Sequence, residues 1–140
     1  HKGTRMGITL QRKPDTAMAQ TLTIGAHALV TDGSVAEGGD DAGPSPHELY
    51  DAALGACKAL TVLWYARRKG WAVQDVQTTV DRDDTQERQG HYRLNATLRI
   101  TGDLTDAQLQ ELESVAHKCP VHKLMTSVTT EITTTVQRQP

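Results

Sequence analysis

Alternation dominates the first third of the chain. Residues 7–13 alternate about Ile8 and Leu10, and Pro14-Asp15 supplies a turn, so a strand is predicted there. Residues 16–30 read as one or two further strands ending near Thr31-Asp32-Gly33. Residues 37–46, EGGDDAGPSP, have the composition of a loop. The period then lengthens to that of a helix. Ser45 is placed to cap it, Pro46 suits its first position, and Glu48 completes a Ser-x-x-Glu capping box. Gly70 supplies the stop after Lys69. Leu49, Ala53, Ala56, Leu60, Leu63 and Trp64 mark one apolar face, which Tyr50, Leu54, Thr61 and Tyr65 extend round the cylinder. Such a helix is expected to be central and covered on several sides.

Period two returns afterwards. Residues 72–83 carry Val73, Val76 and Val80, and residues 91–101 alternate as Tyr92, Leu94, Ala96, Leu98 and Ile100, with a polar hairpin loop between the two runs. Thr105 then caps a second helix, with Gln108 in the capping-box position and a stripe of Leu109, Leu112, Val115 and Ala116. Pro120 interrupts it and begins a short helix to about Thr126. Residues 131–137 alternate as Ile132, Thr134 and Val136 and predict a closing strand. The order is β-β-β-α-β-β-α-β, an α+β fold with antiparallel sheets, expected to fill residues 1–140 as one domain.

Composition adds constraints. The net charge of −2 gives no electrostatic pull toward nucleic acid or anionic lipid. Hydrophobic residues are 37% of the chain and Phe is absent, so a lone subunit would have a thin core; a homodimer interface would supply the missing burial. No apolar run approaches the roughly 20 residues that span a bilayer. The opening HKGTRMGITL has no apolar signal core, and two cysteines are too few for a disulfide-built secreted scaffold, so the expected location is cytoplasmic.

Those two cysteines are the candidate chemistry. Cys57 lies mid-helix on or beside the apolar face, just after Gly55. A helix-interior glycine costs about 1 kcal/mol relative to alanine, so a close approach of backbone or substrate is expected to offset it. Cys119 directly precedes Pro120, at the start of the short helix, where the helix dipole favours a thiolate. Each could equally be a small buried hydrophobe. Cys119, His122, His117 and His47 have the chemistry of metal ligands, but a zinc site needs four that converge, so no metal is expected. The EGGDDAG segment lacks the setting and lysine of a phosphate-binding loop; it reads as a connection or as a lid over Cys57.

Two stretches carry a resemblance. SPHELYDAALGACKALTVLWYARRKGW, residues 45–71, resembles the central-helix signature of the OsmC/Ohr family, the osmotically induced and organic-hydroperoxide-resistance proteins; HKCPVHKLM, residues 117–125, resembles that family's second cysteine motif. The resemblance implies an intertwined α+β homodimer with an active site at the subunit interface. It also implies reduction of organic hydroperoxides without metal, haem or other cofactor. Cys57 then matches the peroxidatic position and Cys119 the resolving one, with a disulfide between them and an external dithiol, lipoyl in well-known members, as reductant. An apolar wall of Leu60, Leu63 and Trp64 would suit an alkyl or lipid peroxide. Family peroxidases pair the reactive thiolate with an N-terminal arginine, held by a glutamate directly after the helix-opening proline. Arg12 fits that arginine best by position, and Arg5 second. The glutamate's place is taken by His47, with Glu48 one residue later and turned about 100° around the helix. Glu48 is therefore open to two roles, helix cap or arginine partner. This opening is closer to the OsmC-like branch, for which the alternative is a non-catalytic dimer that binds a small apolar ligand or a thiol carrier at its interface.

Overall fold

The computed structural model describes residues 7–140; Arg5 lies outside them. Two compact units divide near the start of the long helix, one up to Ala52 and one from Ala53 on.

In the first unit, β1 (Ile8–Arg12), β2 (Gln20–Ile24) and β3 (His27–Thr31) form an antiparallel sheet in that order. Residues 16–30 thus hold two strands, joined by a tight turn in which Gly25 takes φ 58°. The segment after β3 is organised by Asp32, which is 4% exposed. Its carboxylate accepts N–H bonds from Gly33 at 2.8 Å and from Asp40 and Ala42 at 3.1 Å. The Ala42 bond foremost, with those of Asp40 and Gly33, holds this carboxyl below its ordinary range against the opposing effect of burial. The acidic, glycine-rich loop is therefore wrapped round a buried acceptor.

α1 (Pro46–Lys69) opens with the predicted capping box: Ser45 N–H donates to Glu48 Oε1 at 2.8 Å, and Glu48 N–H donates to Ser45 Oγ at 3.1 Å. In the second unit β4 (Ala72–Asp83) and β5 (Arg93–Asp103) pair antiparallel, with Val76 opposite Ile100, Thr78 opposite Leu98 and Val80 opposite Ala96. The alternation predicted for Tyr92 to Ile100 is observed. α2 (Asp106–His117) carries the Thr105–Gln108 box, and α3 (Pro120–Thr126) follows. Val62 and Ala66 of α1 meet Leu112 and Ala116 of α2 in a core closed by Trp71, Val73, Val76, Leu98 and Ile100. Among the described residues no helix is long and apolar enough to cross a membrane.

Two expectations are corrected. The buried side of α1 runs through Asp51, Leu54, Gly55, Lys58, Val62 and Ala66, not through the apolar face read from hydropathy. Leu60 and Trp64 are 66% and 60% exposed. The inner side carries two charged residues and a glycine, so its helical period is invisible to an apolar count. Residues 131–137 form no strand, and Ile132 and Val136 are exposed. Alternation gives a chain a strand's two faces, but a strand exists only when another supplies its hydrogen bonds, and among the described residues none pairs with this segment.

Candidate functional site

Both cysteines are free thiols. Cys57 is half-buried on α1, and Cys119 is wholly buried. Cys119 is the N-cap of α3: Pro120 occupies the first turn, and the His122 N–H donates to Cys119 Sγ at 3.4 Å. The predicted place of this cysteine at a helix start is thus observed.

Lys58 follows Cys57 and is 6% exposed. Its ammonium donates to the Ala116 carbonyl at 2.8 Å and to His122 Nδ1 at 2.9 Å. Ala116 precedes Cys119 by three residues and His122 follows it by three. The ammonium therefore ties the Cys57 turn of α1 to both flanks of Cys119. A buried cation is costly unless its hydrogen bonds are made; here one acceptor is a C-terminal carbonyl of α2, which has no partner within its own helix and sits where the helix dipole favours positive charge. Polar residues at 51 and 58, two turns apart on the side of Leu54 and Val62, were the available signal. A count of apolar positions passes over them.

His122 must be neutral at Nδ1 to accept from Lys58. Burial lowers its pKa from the ordinary 6.5, and the Lys58 ammonium and His117 lower it further. The unfolded chain then binds this proton more tightly than the folded one. The stability gained is full above pH 6.5 and is lost as pH falls from there through the lower folded value. The melting temperature of the reduced protein is expected to fall from pH 7.5 to 5.5. The fall should be shallower in His122→Asn, whose amide oxygen accepts without titrating in this range. Thermal melts across that range check this.

The other predicted residues sit as follows. Arg12 Nη1 donates to the carbonyls of Lys13 at 3.1 Å and Thr16 at 2.8 Å, so this guanidinium closes the turn between β1 and β2. Glu48 serves the capping box. His47 is exposed, and its charge, after two hydrogen bonds from Ser34, helps hold Glu37 below the ordinary carboxyl range. Leu60, Leu63 and Trp64 line a cleft of about 590 Å³ with Ala66, Arg67, Trp71 and Val73. Arg68 stacks over Trp64, 5.0 Å from the ring centre.

Comparison with known proteins agrees with this architecture. The family model for OsmC-like protein matches residues 38–134. Similar solved structures include an OsmC-like protein from Mycoplasma pneumoniae, 19% identical with a TM-score of 0.71 and 91% of each chain covered. Another is an organic hydroperoxide resistance protein OsmC from Legionella pneumophila, 19% identical with a TM-score of 0.63, covering 91% of this chain and 93% of that one. A third is the organic hydroperoxide resistance protein OhrB of Bacillus subtilis, 21% identical with a TM-score of 0.57, covering 89% and 92%. At these identities the likeness speaks to the fold. No curated protein matches the chain.

Proposed function

This chain belongs to the OsmC-like protein family, and we propose that it is a metal-free thiol peroxidase acting on organic hydroperoxides. The observation that carries the reading is the Lys58 ammonium, which joins the turn bearing Cys57 to both flanks of Cys119. Two thiols held on adjoining segments are what a two-step reduction needs. In the first step the Cys57 thiolate attacks the distal peroxide oxygen, the O–O bond breaks, and the alkoxide leaves with a proton as alcohol; Cys57 becomes a sulfenic acid. In the second, Cys119 sulfur attacks the sulfenic sulfur, and hydroxide leaves with the Cys119 proton as water. An external dithiol then reduces the disulfide by exchange and is itself oxidised; a lipoyl group has the chemistry required. The cleft walled by Leu60, Leu63 and Trp64 suits an alkyl chain better than hydrogen peroxide.

A homodimer belongs to this reading. The exposed stripe of Leu60, Leu63 and Trp64 on α1, and the exposed Ile132 and Val136 of the tail, are apolar positions that a second copy would cover. The reducing cytoplasm, where both thiols stay free between turnovers, is the compartment that fits.

One observation favours a second reading. The Arg12 guanidinium donates to the Lys13 and Thr16 carbonyls of its own turn, and Glu48 Oε1 accepts from the Ser45 N–H of its helix cap. A non-catalytic dimer binding a small apolar ligand or a thiol carrier would keep the cleft and need no activated thiol. A coupled assay with cumene hydroperoxide and dihydrolipoamide separates the two. Turnover with a clear preference over hydrogen peroxide is expected. No peroxide consumption with any of several dithiols, and no loss of free thiol, would overturn the peroxidase reading in favour of the second.

A further inference from the structure

We propose that Lys58 is a positioning residue for the resolving step: its ammonium clamps the Cys119 segment against the Cys57 turn and so sets the rate at which the two sulfurs join. The proposal rests on the thiol reading above and adds to it a residue that is neither nucleophile nor acid.

The geometry supports this assignment. Lys58 is buried, and its two hydrogen bonds run to separate elements, the end of α2 and the first turn of α3. Cys119 lies at the junction of those elements, as C-terminal neighbour of Lys118, which closes α2, and as N-cap of α3. Each cap bonds into its own helix, Lys118 N–H to the Val115 carbonyl and the Cys119 carbonyl to Lys123 N–H, and the extended backbone of Cys119 (φ −64°, ψ 145°) separates the two helices. The α3 side is weakly anchored: that helix has 7 residues and no buried side chain of its own. A cation bonded to both sides fixes the angle between the two helices, and with it the approach of Cys119 sulfur. Intramolecular rates are sensitive to such angles; a misplacement of about 1 Å can cost roughly a hundredfold. The charged groups around the ammonium are consistent with a fixed clamp. His122 faces it from α3 as a neutral acceptor, His117 lies 6.3 Å from the His122 ring, and Glu113 and His117 of α2 share with Lys58 the wall of one cleft.

The test separates the two chemical steps. Wild type, Lys58→Met, His122→Leu and His122→Asn are mixed with one equivalent of cumene hydroperoxide. Sulfenic acid is followed by dimedone trapping, and disulfide by mass spectrometry of the quenched protein. Lys58→Met and His122→Leu are expected to form sulfenic acid at the wild-type rate and to close the disulfide about tenfold or more slower. His122→Asn, which restores an acceptor near Nδ1, should recover most of the closure rate; a merely structural lysine would not give that rescue with the first step unmoved. Equal closure rates in all four proteins would overturn the clamp. So would an equal slowing of both steps, which would make Lys58 a determinant of Cys57 reactivity instead. If Lys58→Met does not fold, the His122 pair alone decides. If wild type does not react with the peroxide, the peroxidase reading fails and the clamp is tested with diamide. Diamide takes two electrons and two protons from the thiol pair to become the hydrazine. Slower closure in Lys58→Met and His122→Leu then supports the clamp. Equal closure, or no Cys57–Cys119 disulfide in wild type, overturns it.

Discussion

Cys57→Ser is expected to lose hydroperoxide turnover by roughly three orders of magnitude or more, on the scale that removal of a nucleophile costs other covalent catalysts. A serine hydroxyl offers no polarizable anion at neutral pH and cannot hold the transferred oxygen as a reducible sulfenic acid. Cys119→Ser should behave differently. Its first equivalent of peroxide is consumed at the wild-type rate, and the protein then stalls with dimedone-reactive sulfur at Cys57. Excess peroxide drives that sulfur on to sulfinic acid, which the dithiol does not reverse. Steady-state assays of both variants, with mass spectrometry of the stalled species, check the pair. Full turnover in Cys57→Ser would remove Cys57 from the chemistry. Loss of the first equivalent in Cys119→Ser would mean that Cys119 is no mere resolving partner.

How much of this was legible beforehand depends on what kind of signal each residue gives. Capping boxes are local, so Ser45–Glu48 and Thr105–Gln108 announced the two helix starts, and Pro120 placed Cys119 at the head of α3. Alternation is also local, and β5 followed it. The inner side of α1 was not legible, because a lysine and an aspartate occupy it while Leu60 and Trp64 face outward. Hydropathy assigns burial one residue at a time. Lys58 is buried because two acceptors from distant segments converge on it, and no single-residue property encodes that. The tail failed for a related reason: residues 131–137 have a strand's pattern, but pairing depends on a partner the pattern does not name. The OsmC-like motifs include the two cysteines, whereas Arg12 and Glu48 are matched by position alone; the turn and helix cap that their hydrogen bonds serve are themselves local features.

Gly55→Leu is expected to destabilise the protein by about 1–3 kcal/mol, the usual cost of forcing methylenes into a closed seam. For a chain of this size that corresponds to a melting temperature lower by roughly 5 °C. A glycine in mid-helix gives up about 1 kcal/mol of propensity, and the structure shows what it gains. A β-carbon built at Gly55 would stand 2.8 Å from Val80 Cγ2 and 3.5 Å from Thr78 Cγ2, so α1 rests directly on β4 here. Val80 cannot turn aside cheaply: its side chain is β-branched and its backbone is registered against Ala96 of β5. Gly55→Ala sets the propensity gain against that contact and should leave the melting temperature nearly unchanged or slightly lower. Leucine brings nearly the same propensity gain but drives three further carbons into that contact and must lift the helix. Gly55 shares the inner side of α1 with Lys58, so lifting it also stretches the bonds to Ala116 and His122, and disulfide closure should slow along with the loss of stability. Adding Val80→Ala to Gly55→Leu should recover part of both losses. Melts and closure rates across that double-mutant cycle give the coupling directly. A Gly55→Leu protein that melts with the wild type would mean that the α1–β4 contact bears no weight.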